Sequence, residues 1–183
     1  MQLELIPQTT AVLVIDWQER LCAAMPPEVV EQNTRNVTHL LTLAGRLEIP
    51  VVATEQYPQG LGPSVEAVRA LLPRPALPKV SFSAVRDAAA AAALRETGRT
   101  NVVVTGMETH ICVYQTVRDL VGAGYGVHVP ADAVVSRFER NWRYGLELLR
   151  AAGAVITTTE TVLFDLLKVG QGEAFKEVSR RIR

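Results

Sequence analysis

The chain lacks an excess of either charge: 19 Lys and Arg balance 19 Asp and Glu over 183 residues. A balanced surface exerts no general pull on nucleic acid or an anionic membrane, so neither is expected as a partner. Cysteine is scarce. The two present, Cys22 and Cys112, stand 90 positions apart, and one such pair cannot build a disulfide framework in a chain of this length. A reducing, cytoplasmic compartment is the expectation. Long apolar runs are also missing. The longest, such as 11–15 and 88–94, fall far below the ~20 residues that cross a bilayer. No basic stretch precedes an apolar one near residue 1, so no secretory signal is expected.

What is present reads as a globular domain. Hydrophobic residues make up 48% and charged residues 21%, which excludes a disordered or fibrous chain. No Pro/Ser-rich linker or repeat divides the sequence, and one domain over residues 1–183 is expected. Apolar runs at 11–15, 50–53, 101–105, 126–129 and 154–157 read as strands covered on both faces, because they do not alternate with polar residues. A brief sixth candidate lies at 80–82. Between them, 28–47, 87–96, 111–123 and 142–152 read as helices, and 171–183, with Lys176, Arg180, Arg181 and Arg183, as a terminal helix with a solvated face. Gly45, Gly98, Gly124 and Gly153 fall near helix ends, where a left-handed residue is commonly needed. Residues 56–79 hold five prolines and are expected to be mostly loop with one short helix. Strand and helix alternating in this way predict a three-layer α/β/α fold around a mostly parallel sheet of about six strands.

Ligands of such sheets bind beyond the carboxyl ends of the strands. Asp16 follows the first run, 54–56 the second, Lys79 lies near the third and Cys112 follows the fourth. A carboxylate there is desolvated and calls for a cation, which Lys79 can supply. A thiol at a helix start, beside a lysine and a carboxylate base, ionises more readily than a free thiol at about 8.5. Each residue also has a plain reading. Cys112 can be a small core residue, Asp16 a cap, and Lys79 a surface lysine.

The wording of these segments adds a resemblance. Ile15-Asp16-Trp17-Gln18-Glu19-Arg20, Pro78-Lys79-Val80-Ser81-Phe82-Ser83 and Val104-Thr105-Gly106-Met107-Glu108-Thr109-His110-Ile111-Cys112-Val113, with Thr116, Arg118-Asp119 and Ala131-Asp132-Ala133 downstream, closely resemble the isochorismatase-like cysteine hydrolases. The resemblance runs from about residue 9 to about residue 165. It implies that Asp16, Lys79 and Cys112 form a catalytic triad. It also implies that the Met107–Glu108 peptide is cis and that the Glu108 and Cys112 N–H groups line an oxyanion hole. Trp17, Gln18, Tyr57, Phe82, His110 and Tyr114 lie near these segments and are candidates to line a substrate pocket with Glu108, though each also fits a core or interface role. Cys22 reads as a buried small residue.

Two departures narrow the reaction. Family members that hydrolyse nicotinamide typically hold a metal through an Asp-x-His element and further histidines. Here no Asp or His lies between Val51 and Lys79, and His39, His110 and His128 are scattered, so no metal or other cofactor is expected. Isochorismatases proper typically lack the nucleophilic cysteine, and Cys112 argues against their vinyl-ether cleavage. The expectation is a hydrolase of a small amide or related C–N substrate, assembled as a dimer or tetramer. A catalytically silent binding protein of the same fold, or a thiol-redox enzyme, are the alternatives. The redox reading is weakened by the absence of Cys-x-x-Cys.

Overall fold

The protein is described by a computed structural model covering residues 3–182. Arg183, expected at the end of the terminal helix, lies outside the described residues. Five of the expected strands form where their apolar runs lie: β1 (Thr10–Ile15), β2 (Val51–Gln56), β4 (Asn101–Met107), β5 (Gly126–Pro130) and β7 (Val155–Thr157). With β3 (Leu77–Lys79) and β6 (Val134–Val135) they build a seven-stranded parallel sheet in the order β3-β2-β1-β4-β5-β7, β6 pairing with the end of β4. The fold is therefore the expected mostly parallel α/β sheet flanked by helices, with one strand more than foreseen.

Alternate side chains of the central strands leave on opposite faces. Val12 and Val14 of β1, with Val103 and Met107 of β4, pack against α2 (Pro27–Arg46), α8 (Thr159–Leu167) and α9 (Glu173–Arg181). Ala11, Leu13 and Ile15, with Val102 and Val104, pack against α5 (Ala88–Glu96), α6 (Tyr114–Gly122) and α7 (Glu139–Ala151). Each such aliphatic side chain contributes about 1.5–3 kcal/mol on burial, so both helical layers are held by the apolar runs visible in the sequence. The poly-alanine helix α5 starts cleanly because Asp87 caps it, accepting hydrogen bonds from the Ala89 and Ala90 N–H groups.

The departures have local causes. Residues 80–82 are not a strand; the third strand precedes them, pairing Thr54 with Leu77 and Gln56 with Lys79. It is an edge strand, where Pro78 is tolerated and apolar periodicity is not required. Residues 56–79 hold two short helices rather than one, α3 (Pro58–Leu61) and α4 (Glu66–Arg69), and α1 (Glu19–Ala23) and α8 also lie outside the expected helices. Gly45 sits inside α2 and is not left-handed. Glu48 takes that conformation two residues past the helix, with φ 53°. The helix expected at 111–123 begins as a wide turn over Thr109–Val113, closed by the Val113 N–H donating to the Glu108 carbonyl five residues back. Among the described residues, no helix is long and apolar enough to cross a membrane.

Strand order reverses between β1 and β4: β2 and β3 lie to one side of this pair, and β5 and β7 to the other. That reversal opens the crevice where a ligand of an open sheet binds. Asp16 leaves the end of β1 there, and Cys112 follows β4.

Candidate active site

The structure brings Asp16, Lys79 and Cys112 together. Asp16 leaves β1 with φ 54°, a left-handed conformation that Asp adopts more readily than most residues, and its side chain is fully buried. Its Oδ1 accepts from Thr54 Oγ1 at 2.8 Å and its Oδ2 from Lys79 Nζ at 2.7 Å. The Cys112 thiol lies close enough to this carboxyl group for each to shift the ionisation of the other. Lys79 Nζ is sealed from solvent and donates further to Gln56 Oε1 at 2.6 Å and to the Ser81 and Phe82 carbonyls at 3.1 and 3.2 Å. Gln56 is itself held, its N–H donating to Gln18 Oε1 and its carbonyl accepting from Gln18 Nε2. A buried ion pair needs such extra partners to offset its desolvation.

Cys112 sits in the wide turn with 7% of its surface exposed. Thr116 Oγ1 donates to its carbonyl and accepts from the Ala84 N–H, tying the turn to the segment beyond Lys79. The electrostatics differ from the sequence expectation of an easily ionised thiol. Burial first, and then the Asp16 charge, push the Cys112 thiol up to about 12, with Lys79 acting against them. Burial also raises the Asp16 carboxyl above its ordinary range, again opposed by Lys79. The lysine was counted in the sequence reading, but its charge is already engaged by Asp16, and a second anion beside that carboxylate is disfavoured. The Met107–Glu108 peptide is cis, in agreement with the resemblance.

A match to the isochorismatase domain model covers residues 10–161. The chain belongs to the isochorismatase family. Isochorismatase domain-containing protein 1 of Danio rerio is 38% identical over 181 residues, 98% of this chain. The chain spans 62% of that relative's length. Among solved structures, the MAR1 ribonuclease of Caenorhabditis elegans superposes with a TM-score of 0.89 at 32% identity, covering 98% of this chain and 92% of its own. The Escherichia coli YcaC gene product, described as an octameric hydrolase of unknown specificity, has a TM-score of 0.91 at 22% identity over 99% of this chain and 91% of its own. At that identity the second likeness speaks for the fold alone.

The other expected pocket residues of this isochorismatase domain separate into three groups. Trp17 is fully buried in the α2 layer, away from Cys112, and its Nε1 donates to Thr34 Oγ1 at 3.0 Å. Gln18 is equally buried and is spent on clamping Gln56 and the Gly62 carbonyl. Neither presents surface to a ligand. Tyr57 and Phe82 are 56% and 53% exposed on the segments that flank Lys79, where the Phe82 carbonyl reaches Nζ. Glu108 and His110 belong to a network that sequence reasoning missed. The Glu108 carboxylate accepts from the Arg137 N–H and Nε at 2.9 and 3.1 Å. His110 lies between Ser136 Oγ, at 3.0 Å from Nδ1, and Asn141 Nδ2, at 3.3 Å from Nε2. Burial lowers the His110 pKa, with Arg137 in the same sense and Glu108 opposed. The only sequence signal for Ser136 and Arg137 was their place just after the Ala131-Asp132-Ala133 motif. Tyr114 opens α6, where Arg118 stacks on its ring. Cys22 is half-buried, and burial pushes its thiol up to about 11. Among the described residues no group of three His, Cys, Asp or Glu side chains lies close enough to hold a metal ion.

Proposed function

We propose that the protein is a cysteine hydrolase acting on a small amide or related C–N bond, with Cys112 as nucleophile, Asp16 as general base and acid, and Lys79 as the cation that balances Asp16. The observation that carries this reading is the buried Lys79–Asp16 pair, at 2.7 Å, with the Cys112 thiol near enough to the same carboxyl group to act on its ionisation. A nucleophile, a base within reach of its proton and a third group holding the base are the parts covalent catalysis requires.

The high thiol pKa sets the order of events. The resting sulfur keeps its proton and gives it to Asp16 as sulfur attacks the substrate carbonyl carbon. Asp16 then carries the proton to the departing amine as the C–N bond breaks, leaving a thioester on Cys112. A water, losing a proton to the same carboxylate, adds to the thioester; the carboxylic acid departs and the sulfur recovers its proton. The Glu108 and Cys112 N–H groups, assigned by family resemblance, would donate hydrogen bonds to the oxyanion. Losing one such donor typically costs about 100–1,000-fold in rate. Exposed Tyr57 and Phe82 would form the apolar rim of the pocket, and a second copy of the chain is the proposed cover for that rim.

A second reading is a silent scaffold of the same fold, and the protonated, 7%-exposed thiol favours it. One experiment separates the two. The protein is incubated with amides, carbamoyl compounds, ureides and a short single-stranded RNA, following ammonia or amine release, RNA cleavage and the intact mass. Amine release with an acyl adduct on Cys112, both absent in Cys112→Ala, supports the proposal. No amine release and no adduct with any of these compounds favours the silent scaffold, and RNA cleavage, or turnover that survives Cys112→Ala, overturns the proposal.

A further inference from the structure

On the other side of the sheet from Cys112, α2, the Asp132 turn and the ends of α8 and α9 line an open cavity of about 360 Å³. That volume is within the usual range for small-ligand sites. Arg35 and His39 of α2, and Arg181 of α9, line it. His39 is 7% exposed, and its Nδ1 is shut off from solvent with no hydrogen-bond partner. A buried polar atom without a partner is uncommon, and an explanation is due.

Arg35 and Arg181 share the lining with two acids, Asp132 and Glu160. Both residues acting on the His39 ring through their charge are cations, Arg181 and Arg35, which together with burial lower its pKa. The acids nearby are engaged by other groups or exposed to solvent. Asp132 Oδ1 accepts from the Thr159 N–H and Oγ1 at 2.7 and 2.9 Å. Glu160, on α8, lines the cavity with its side chain exposed to solvent, where water screens its charge. Glu31, the partner of Arg35 at 3.2 Å, has a side chain 77% exposed. Glu177 meets Arg181 at 3.5 Å but holds Arg46 at 2.6 Å. Each guanidinium therefore keeps donors free, and its planar fork suits a carboxylate or phosphate oxygen pair.

We infer that this cavity binds a small oxyanion, held between the Arg35 and Arg181 guanidinium groups, with His39 taking up a proton as the anion enters. The ligand class is a compact carboxylate, sulfate or phosphate, and the site is independent of the Cys112 chemistry. Sulfate is the useful probe, because its charge is constant across the pH range in which histidine titrates. The full chain is followed by NMR of the histidine Cε1–H resonances, with His39 assigned through His39→Gln, in sodium sulfate against sodium chloride at equal ionic strength. The expected result is a rise of about one unit in the His39 midpoint, a tenfold shift toward the imidazolium. Arg35→Gln/Arg181→Gln, checked for an unchanged fold by circular dichroism, should lose that rise. Acetate and inorganic phosphate, run at a fixed pH, rank the two oxyanion shapes. A His39 midpoint equal in sulfate and chloride, or a rise that persists in the double variant, overturns the inference.

Discussion

Replacing Asp16 by Asn should make Cys112 a faster target for alkylation while abolishing hydrolysis. The substitution keeps the shape of the side chain and removes its charge. Two unit charges about 4 Å apart, in a medium of effective dielectric about 20, interact by about 4 kcal/mol. At about 1.4 kcal/mol per unit, that corresponds to about 3 pKa units. With Asp16 neutral, the full charge of Lys79 acts on the sulfur, and the thiol, now at about 12, should fall toward about 9. At pH 7.5 the thiolate fraction rises about a thousandfold. A less basic thiolate is a weaker nucleophile, with a Brønsted slope of about 0.4–0.5, so the net gain is about 50-fold. The assay is iodoacetamide labelling across pH, resolved by peptide mass, with Cys22 as the internal control. Amine release from the best substrate of the panel is measured on the same protein. Labelling of the variant that is no faster than wild type would refute the electrostatic argument. Hydrolysis retained without the carboxylate would refute the role of Asp16 as the base.

Lys79→Met leaves the Asp16 carboxylate buried without its cation and should cost about 3–5 kcal/mol by chemical denaturation. Burial already raises the Asp16 pKa, and losing Lys79 raises it further, so the folded variant holds its proton more tightly than the unfolded chain. Its stability should then be greatest below the unfolded carboxyl value of about 3.9 and fall by up to about 1.4 kcal/mol per pH unit above it, until the folded pKa is passed; a flat profile would contradict this. Gly145→Ala should destabilise, although alanine normally favours a helix by about 1 kcal/mol. A methyl there would lie 2.9 Å from Thr109 Cγ2 and 3.1 Å from the His110 nitrogen, and such overpacking costs about 1–3 kcal/mol. Because those atoms belong to the turn carrying Cys112, the labelling rate of Cys112 should change with it. Asp87→Ala, by contrast, should cost about 1 kcal/mol through the lost cap of α5 and leave Cys112 labelling unchanged; a melting curve and the same labelling assay check both.

Much of the fold was legible because burial on two faces leaves a plain mark. β1 and β4 are buried at every position, and their runs 11–15 and 101–105 stand out for that reason. β3 left no such mark. As an edge strand carrying Pro78, it shows neither an apolar run nor alternation. β6 is two residues long and is defined by its pairing with Gly106 and Met107, a long-range contact. The positions of Asp16, Lys79 and Cys112 were legible from strand ends and wording. The ionisation of Cys112 was not, because it depends on how deeply the thiol is buried and on which partner Lys79 faces.

Gly106 shows what wording carries beyond periodicity. It lies in the β4 motif with φ 139°, beside the end of β1. A Cβ there would collide with the Ile15 carbonyl oxygen and stand 2.7 Å from Ile15 Cβ. Both the backbone angle and the close approach therefore require glycine. Ile15 is the residue before Asp16, so the absence of one methyl group lets the end of β4 lie against the point where β1 turns its carboxylate toward the crevice. Any side chain at 106 would have to push β1 and β4 apart at the strand ends that carry Asp16 and lead into Cys112. Asp16 and Cys112 would move apart before either residue itself was changed. Periodicity sees only an interruption in an apolar strand at this position, whereas the packing makes that interruption a condition for the site to assemble.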